Sequence, residues 1–236
     1  MKPYYQKDGI TIYHGDCREI LSYLDIESLI SDPPYGMKYQ PLPETKGARW
    51  QRKNHDNLIF GDDKEFDPSH LLKYEKVILW GANHYANKLP NSRSWILWDK
   101  RPGMKSLATM SDGDMAWTNL TMPVRVIRHA WSGVIRDSQN GDEVLHPTEK
   151  PIYLMAKCIE FAKSKNVCDP YMGSGSALVA AHVMGIPAIG IEIDERYCEK
   201  AVIRLAQPVL FTLPNNRLQW TGGDSPALPG FSTPEV

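Results

Sequence analysis

The sequence predicts an α/β domain with a mostly parallel sheet and helices on both faces. Short apolar runs that end at Gly, Pro or Asp alternate with helical patterns, and a strand–helix–strand order occupies the last third of the chain. This order is typical of a parallel sheet, because parallel neighbours are joined by a crossover helix. A length of 236 residues suits one such domain with insertions.

Seven segments have the pattern of strands. They are Ile10–His14, Ser28–Ser31, Val77–Trp80, Trp95–Trp98, Val124–Trp131, Asn166–Asp169 and Ala188–Ile193. Alternation over the fifth segment favours a longer, antiparallel strand, whereas the last two have the character of buried parallel strands. Trp80 and Trp98 are expected in the core, because large aromatic side chains are usually buried.

Three helices are predicted from apolar spacing and stop signals. They span Glu149–Ala162, Ser176–Met184 and Glu195–Leu205. Thr148 can cap the first helix, and Pro151 falls in its first turn, where a missing N–H costs little. The helix start and Lys150 together favour a nearby carboxylate, although a plain capped helix gives the same pattern.

Two stretches interrupt the alternation. Residues 37–70 are polar and aperiodic, and so long a loop is usually functional or disordered. Residues 207–236 are rich in Pro and Gly and are expected to form a poorly ordered tail. The domain is therefore predicted to span residues 1–206, with 37–70 as an inserted loop.

Charge and cysteine content exclude several classes of protein. With 27 basic and 28 acidic residues the chain is not basic, so any contact with nucleic acid must be local. Four scattered cysteines without a CxxC pair indicate reduced thiols and exclude a zinc module or disulfide scaffold. No apolar run approaches a membrane span, and the N-terminus lacks a signal-peptide core. We expect a cytoplasmic protein without a metal or membrane partner; its oligomeric state is not predicted.

The segment Asp32-Pro33-Pro34-Tyr35 follows a predicted strand. Proline has no N–H and forces extended geometry on the residue before it, so the pair ends the strand and leaves carbonyls without strand partners. The resulting carboxylate and carbonyl beside an aromatic ring suit a planar group with an exocyclic NH2. An ordinary strand-end turn is the alternative, since Asp-Pro often starts turns.

A glycine-rich turn, Asp169 to Ser176, lies between a predicted strand and helix, and Glu192 ends the next strand. Glycines allow a ligand close to backbone N–H groups, and the acid suits ribose hydroxyls. A dinucleotide fingerprint needs glycine at position 178, which is Leu178. This favours a nucleoside without phosphates, such as S-adenosylmethionine, although an ordinary turn stays open.

Together these motifs resemble the amino-group (N6-adenine/N4-cytosine) DNA methyltransferases of bacteria and phages. The order resembles the β class, in which the DPPY segment precedes the cofactor segment. The motifs are DPPYG at 32–36, WGANHY at 80–85, WILWDK at 95–100, HPTEKP at 146–151 and DPYMGSGS at 169–176. The resemblance implies a Rossmann-like methyltransferase with permuted motif order, whose chain starts in mid-sheet. Tyr171 and Ser176 depart from the family's usual Phe and Thr.

The resemblance also implies roles for single residues. The target base would lie against Asp32, Pro33, Pro34 and Tyr35. S-adenosylmethionine would lie against Asp169, Tyr171, Gly173, Ser174, Gly175 and Ser176, with its ribose at Glu192, its methionine carboxylate at Thr148 and Lys150, and its adenine near Asp16.

The predicted function is site-specific transfer of a methyl group to adenine N6 in DNA, as in restriction–modification. Asp32 resembles the adenine form of the motif, whereas cytosine enzymes more often carry Ser, so cytosine-N4 is the nearest alternative. A nicotinamide-dependent oxidoreductase would explain the glycine turn. However, Leu178 stands where its dinucleotide fingerprint needs glycine. A catalytically silent DNA-binding module would not need Asp32.

Four basic residues inside the long loop are candidates for DNA contact. Lys46, Arg49, Arg52 and Lys53 flank Trp50 without an acid among them. Because this loop leaves the DPPYG segment, we expect it to grip phosphates around the target base. A solvated loop is the alternative, and Arg125, Arg128 and Arg136 would then supply the basic contact.

Overall fold

The computed structural model describes residues 1–38, 60–105, 111–132, 135–136, 149–207, 210–212 and 218–220. At 132, 135–136, 210–212 and 218–220 the backbone alone is described. The strands, in chain order, are β1 (Tyr5–Lys7), β2 (Ile10–His14), β3 (Ser28–Ser31), β4 (Lys76–Trp80), β5 (Ser94–Asp99), β6 (Gly113–Thr118), β7 (Arg125–Arg128), β8 (Trp131–Ser132), β9 (Ile135–Arg136), β10 (Val167–Asp169), β11 (Ala188–Glu192), β12 (Leu210–Thr212) and β13 (Leu218–Trp220).

Nine strands form one mixed sheet in the order β1-β2-β11-β10-β3-β4-β6-β5-β7. The five strands from β2 to β4 in this order are mutually parallel, while β1 and β6 run antiparallel to their neighbours. The predicted mostly parallel α/β sheet is confirmed. Parallel strands end at the same edge, so the segments that follow β3, β10 and β11 are brought together there.

Two details of the predicted sheet are wrong. The segment Val124–Trp131 is not one long strand: it contains the short strand β7, which pairs parallel to β5, and its last residue begins β8. Alternation indicates that one face of a strand is buried, as Ile127 is here. It does not indicate whether the neighbouring strand runs parallel or antiparallel. The chain also starts at the sheet edge, in β1, and not in mid-sheet.

Four α-helices are described: α1 (Cys17–Ile20), α2 (Ile152–Ala162), α3 (Ser176–Val183) and α4 (Glu195–Ala206). The last two match the predicted helices within a residue at each end. The first predicted helix begins at Ile152 and not at Glu149, because Pro151 is extended at ψ 141 and occupies the N-cap without a side-chain cap. The N-cap position therefore belongs to Pro151, and the predicted cap Thr148 lies outside the described residues.

The sheet is covered differently on its two faces. Helices α2, α3 and α4 pack with one apolar face, which includes Trp80 and Trp98. The opposite face is covered by α1 and by irregular segments around Leu71 and Tyr85. Trp80 and Trp98 are fully buried and meet edge to face, which confirms their predicted core position.

Part of the predicted tail has regular backbone structure. Strands β12 and β13 form an antiparallel pair, with Leu210 opposite Trp220. The remainder of 208–236 lies outside the described residues, so the boundary of the domain stays a prediction. Within the described chain, no helix combines the length and apolar character that crossing a bilayer requires.

Candidate active site

One cavity of about 770 Å³ lies where β3, β10 and β11 end. The predicted site residues that line it are Asp16, Asp32, Pro33, Pro34, Tyr35, Lys150, Asp169, Tyr171, Gly173, Ser174, Ser176 and Glu192. Gly175 does not line the cavity. It packs against Ala201 of α4 at a positive φ of 82°, and an added Cβ would lie 3.0 Å from the Ala201 Cβ.

Glu192 fastens the glycine-rich loop to the end of β11. Its Oε2 accepts a hydrogen bond from the Gly173 N–H at 2.9 Å, and its Oε1 accepts one from the Asp194 N–H at 2.9 Å. Burial raises the pKa of this carboxyl above its usual value, although the backbone donors oppose the shift. The carboxylate thus shapes the loop while it also lines the cavity.

Asp169 ends β10 between the two motifs. Its Oδ1 accepts the Ser31 hydroxyl at 2.6 Å and the Tyr171 N–H at 3.1 Å. Burial raises the pKa of Asp169 from 3.8 to about 7, and the charges of Asp32 and Glu192 add to the rise. The described partners of this carboxyl are neutral donors.

Asp16 and Tyr171 also line the cavity, and both have side-chain partners close by. Asp16 caps α1 through the Arg18 N–H at 2.9 Å and forms an ion pair with the Arg18 guanidinium at 2.6 Å. The Tyr171 hydroxyl is hydrogen-bonded to His70 Nε2 at 3.0 Å. A tyrosine at this position therefore links the loop to the segment before β4, which a phenylalanine could not do. His70 was not predicted as a site residue.

A buried ion pair supports the glycine loop from behind. Arg204 of α4 donates to the hydroxyls of Ser174 and Ser176 at 3.1 and 3.0 Å. Its guanidinium lies 2.5 Å from Glu149, and both side chains are almost fully buried. Glu149 belongs to the HPTEKP motif, but the sequence contains no local signal for Arg204.

Asp32 and Tyr35 form one hydrogen-bonded unit with Lys150. The Tyr35 hydroxyl donates to Asp32 Oδ1. Lys150 Nζ donates to Asp32 Oδ2 at 2.8 Å and to the Tyr35 oxygen at 3.1 Å. Burial and the nearby Asp32 charge raise the pKa of Tyr35 well above 10. The structure thus places Lys150 on the DPPY segment, whereas the family resemblance implies a cofactor carboxylate as its partner.

The WGANHY segment holds the Tyr35 ring. His84 stacks on the ring at 4.9 Å between centroids and 10° between planes. Gly81 has a φ of 66°, and a Cβ there would lie 1.9 Å from Tyr35 Cε1, so this position requires glycine. The structure thereby explains why this motif accompanies the DPPY segment.

Asp62 pins the two described ends of the long loop beside the cavity. Its Oδ1 accepts the N–H groups of Gly36 and Met37 at 2.8 and 3.1 Å, and its carbonyl accepts the Lys38 N–H at 2.9 Å. Lys46, Arg49, Arg52 and Lys53 lie outside the described residues. Among the residues that are described, no group of three His, Cys, Asp or Glu side chains could hold a metal ion.

Comparison with known proteins supports the resemblance drawn from the motifs. The profile of the N6/N4 methylase family, described as DNA methylase, matches residues 38–203, more than half of the chain. A curated relative, the Type II methyltransferase M2.LlaDCHI of Lactococcus lactis subsp. cremoris, is 21% identical over 90% of this chain and 95% of its own length.

Solved structures share the fold. The M1.HpyAVI-SAM complex is 21% identical, with a TM-score of 0.52 over 84% of this chain and 100% of its own. The PvuII DNA methyltransferase, described as cytosine-N4-specific, is 16% identical, with a TM-score of 0.59 over 87% of this chain and 89% of its own. The predicted Rossmann-like methyltransferase fold is confirmed.

Proposed function

The chain belongs to the N6/N4 DNA methylase family, which uses S-adenosylmethionine, and we propose that it methylates the exocyclic N6 of adenine in DNA. The observation that carries this proposal is that one and the same cavity is lined by the DPPY segment and by the acids Asp169 and Glu192. Adenine is preferred because Asp32 resembles the adenine form of the motif.

The residues of the cavity fit S-adenosylmethionine. A volume of about 770 Å³ lies within the usual range for small-molecule sites. Asp169 and Glu192 have neutral hydrogen-bond donors as described partners, so their negative charge favours a ligand with positive sulfonium and ammonium groups. In this proposal Glu192 binds the ribose, Asp16 and Tyr171 lie on the adenine side, and Thr148 stays a candidate for the methionine carboxylate.

The catalytic residues make the target nitrogen a better nucleophile. An exocyclic amine is a poor nucleophile because its lone pair is delocalised into the ring. Asp32 and the Pro33 carbonyl would accept its two N–H groups, which favours tetrahedral nitrogen and localises the pair. Each carboxylate oxygen accepts about two hydrogen bonds, so Lys150 and Tyr35 leave room for the base.

Bound S-adenosylmethionine supplies an activated methyl group. The nitrogen lone pair forms the new N–C bond in line as the S–C bond breaks, and the nitrogen then loses a proton, for which Asp32 is a first acceptor. Positioning and electrostatics supply the acceleration. His84 stacks on one face of the Tyr35 ring, and an extruded base that stacked on this ring would recover ~1–3 kcal/mol.

DNA is held, in this proposal, by the loop that Asp62 anchors. Lys46, Arg49, Arg52 and Lys53 would contact phosphates on either side of the target base. The Type II relative suggests a restriction–modification role in the cytoplasm of a bacterial cell or phage-infected host. The recognition sequence and oligomeric state are not part of the proposal.

Transfer of a labelled methyl group from S-adenosylmethionine to DNA, followed by nucleoside digestion, tests the proposal. Label in N6-methyladenine supports it. Label in N4-methylcytosine would show that the target is cytosine N4 and not adenine N6. That outcome is compatible with the fold shared with the PvuII enzyme. DNA binding without transfer indicates a silent module, and nicotinamide binding without transfer indicates an oxidoreductase. Asp32→Ala is the negative control.

A further inference from the structure

A row of opposite charges, in which Lys150 is buried and the other members are half-buried, runs from the DPPY segment into the sheet. Lys150 Nζ lies 2.8 Å from Asp32 Oδ2 and 3.5 Å from Asp114 Oδ2, and the Lys150 side chain is 7% exposed. Asp114 in turn pairs with Lys100 at 2.7 Å. Asp32, Lys150, Asp114 and Lys100 therefore alternate in sign, and their formal charges sum to zero.

Asp114 stands behind Lys150 and outside the cavity. It lies on β6, the antiparallel strand between β4 and β5, whereas Asp32 follows β3. Asp114 is not among the residues that line the cavity, and it reaches the site through Lys150. Its described contacts with cations are those with Lys100 and Lys150.

The second carboxylate gives the buried ammonium a fixed position. Burial disfavours a charged lysine, yet Asp32 and Asp114 together keep the pKa of Lys150 above its usual value. Burial also disfavours charged Asp114, but Lys150 and Lys100 lower its pKa. Because Asp114 also pairs with the Lys150 ammonium, the position of this ammonium beside Asp32 and Tyr35 does not depend on Asp32 alone.

The backbone beside Lys150 is tied to the cofactor loop. Glu149 pairs with Arg204, which donates to Ser174 and Ser176. Adjacent residues of one motif therefore reach in two directions, Glu149 toward the glycine loop and Lys150 toward Asp32. This arrangement sets the distance between the two ligand-binding motifs.

We propose that Lys150 and Asp114 are positioning residues for methyl transfer: Asp114 holds the Lys150 ammonium, and Lys150 holds the Asp32 carboxylate and the Tyr35 hydroxyl toward the target amine. The proposal rests on the proposed function, because it assigns Asp32 to the amine. It differs from the family-implied role, in which Lys150 binds the methionine carboxylate of the cofactor.

The two roles of Lys150 predict opposite changes. Lys150→Met should lower kcat by ~10²-fold, because a misplaced catalytic group costs about that much, and leave the Kd for S-adenosylmethionine unchanged. Lys150→Arg keeps the charge and should recover part of kcat. A weakened Kd with unchanged kcat would overturn the proposal and place Lys150 on the cofactor. Calorimetry measures the Kd and also shows that each variant binds ligand as a folded protein.

Asp114→Asn tests the second step with an isosteric change. We expect kcat to fall ~10-fold at saturating DNA and cofactor, with KM and the cofactor Kd unchanged. Asp112→Asn is the matched control: it removes a carboxylate two residues away, exposed and paired with Arg101, and should keep wild-type kcat. Equal kcat for Asp114→Asn and Asp112→Asn would overturn the role of Asp114. If the wild type transfers methyl and the Lys150 and Asp114 variants have the same kcat, only the positioning role fails. If the wild type transfers no methyl, the proposed function fails and the positioning role fails with it.

Discussion

The two halves of the cavity hold their carboxylates in different ways. In the catalytic half, formed by Asp32, Tyr35 and Lys150, the carboxylate is held by an ammonium group and a phenol. In the cofactor half, formed by Asp169, Glu192 and the glycine loop, the described donors are backbone N–H groups and a serine hydroxyl. One half is charge-balanced, whereas the acids of the other half have no cation among their described partners.

This difference matches the charge of what each half would bind. A neutral base in the catalytic half gains from a fixed acceptor and would gain little from net charge. A methyl donor with sulfonium and ammonium groups gains from two acids that have no described cationic partner. The raised pKa values of Asp169 and Glu192 follow from the same arrangement, since burial without a cation disfavours the ionised form.

Removing Asp32 should have the largest effect. Asp32→Ala should lower kcat by ~10²–10³-fold, as loss of one transition-state hydrogen-bond partner does, while cofactor binding stays nearly intact. Asp32→Asn, which keeps the shape beside Lys150, guards against a packing defect. Rapid-quench methyl transfer and calorimetry measure the two quantities. Turnover near that of the wild type would remove Asp32 from the mechanism.

The second-largest effect is expected from replacing the four basic loop residues, which should change the salt dependence of DNA binding. Each phosphate contact adds ~0.9 to the magnitude of the slope of log K against log[salt]. If three or four of these residues contact phosphate, the variant with Ala at Lys46, Arg49, Arg52 and Lys53 should flatten the slope by about 3. Quadrupling the salt would then weaken wild-type binding about 60-fold more than variant binding.

The matched control for the loop is the double variant of Arg125 and Arg128. Both side chains are exposed on the edge strand β7 and should leave the slope unchanged if the loop makes the contacts. Affinity of the loop variant should drop equally for all DNA sequences, because phosphate contacts carry no base information. Parallel salt lines for wild type and loop variant would instead assign the phosphate contacts to Arg125, Arg128 and Arg136.

Loss of Glu192 should affect the cofactor half alone. Glu192→Ala removes a charged acceptor and the anchor of Gly173, so the Kd for S-adenosylmethionine should rise about 10- to 100-fold. At saturating cofactor kcat should change less. Glu195→Ala, an exposed acid three residues on, is the control. Unchanged affinity in calorimetry would refute the ribose role and erase the contrast between the two halves.

The local features of this site could be predicted from sequence. Ser28–Ser31 has the observed bounds, because a buried apolar strand stops at prolines that cannot continue the ladder. The glycine loop and its acid Glu192 were likewise predicted from a strand–turn–helix pattern. In both cases the structure follows from residues close together in the chain.

Contacts between distant residues could not be predicted. Lys150 and Asp32 are 118 positions apart, and no local pattern names the partner of a buried ammonium. Strand β6, which carries Asp114, has no regular alternation and escaped prediction. Its neighbours β4 and β5 have strand patterns, but those patterns do not reveal that a third strand lies between them.

The smallest expected effect is a pH dependence of cofactor binding that only the cofactor half should show. Asp169 has a pKa of about 7 in the free protein against 3.8 ordinarily. Between these values Asp169 holds a proton in the folded chain that it has lost in the unfolded chain, so the contribution of Asp169 to stability disappears as the pH rises through 7.

The ionised form of Asp169 binds a cation better, so affinity for S-adenosylmethionine should weaken below pH 7, by at most about tenfold per pH unit. Calorimetry at about pH 6 and about pH 8 measures this, and Asp169→Asn should flatten the dependence except for the part that Glu192 supplies. Equal wild-type affinity at both pH values would mean that the acids of the cofactor half are already neutralised, as Asp32 is by Lys150.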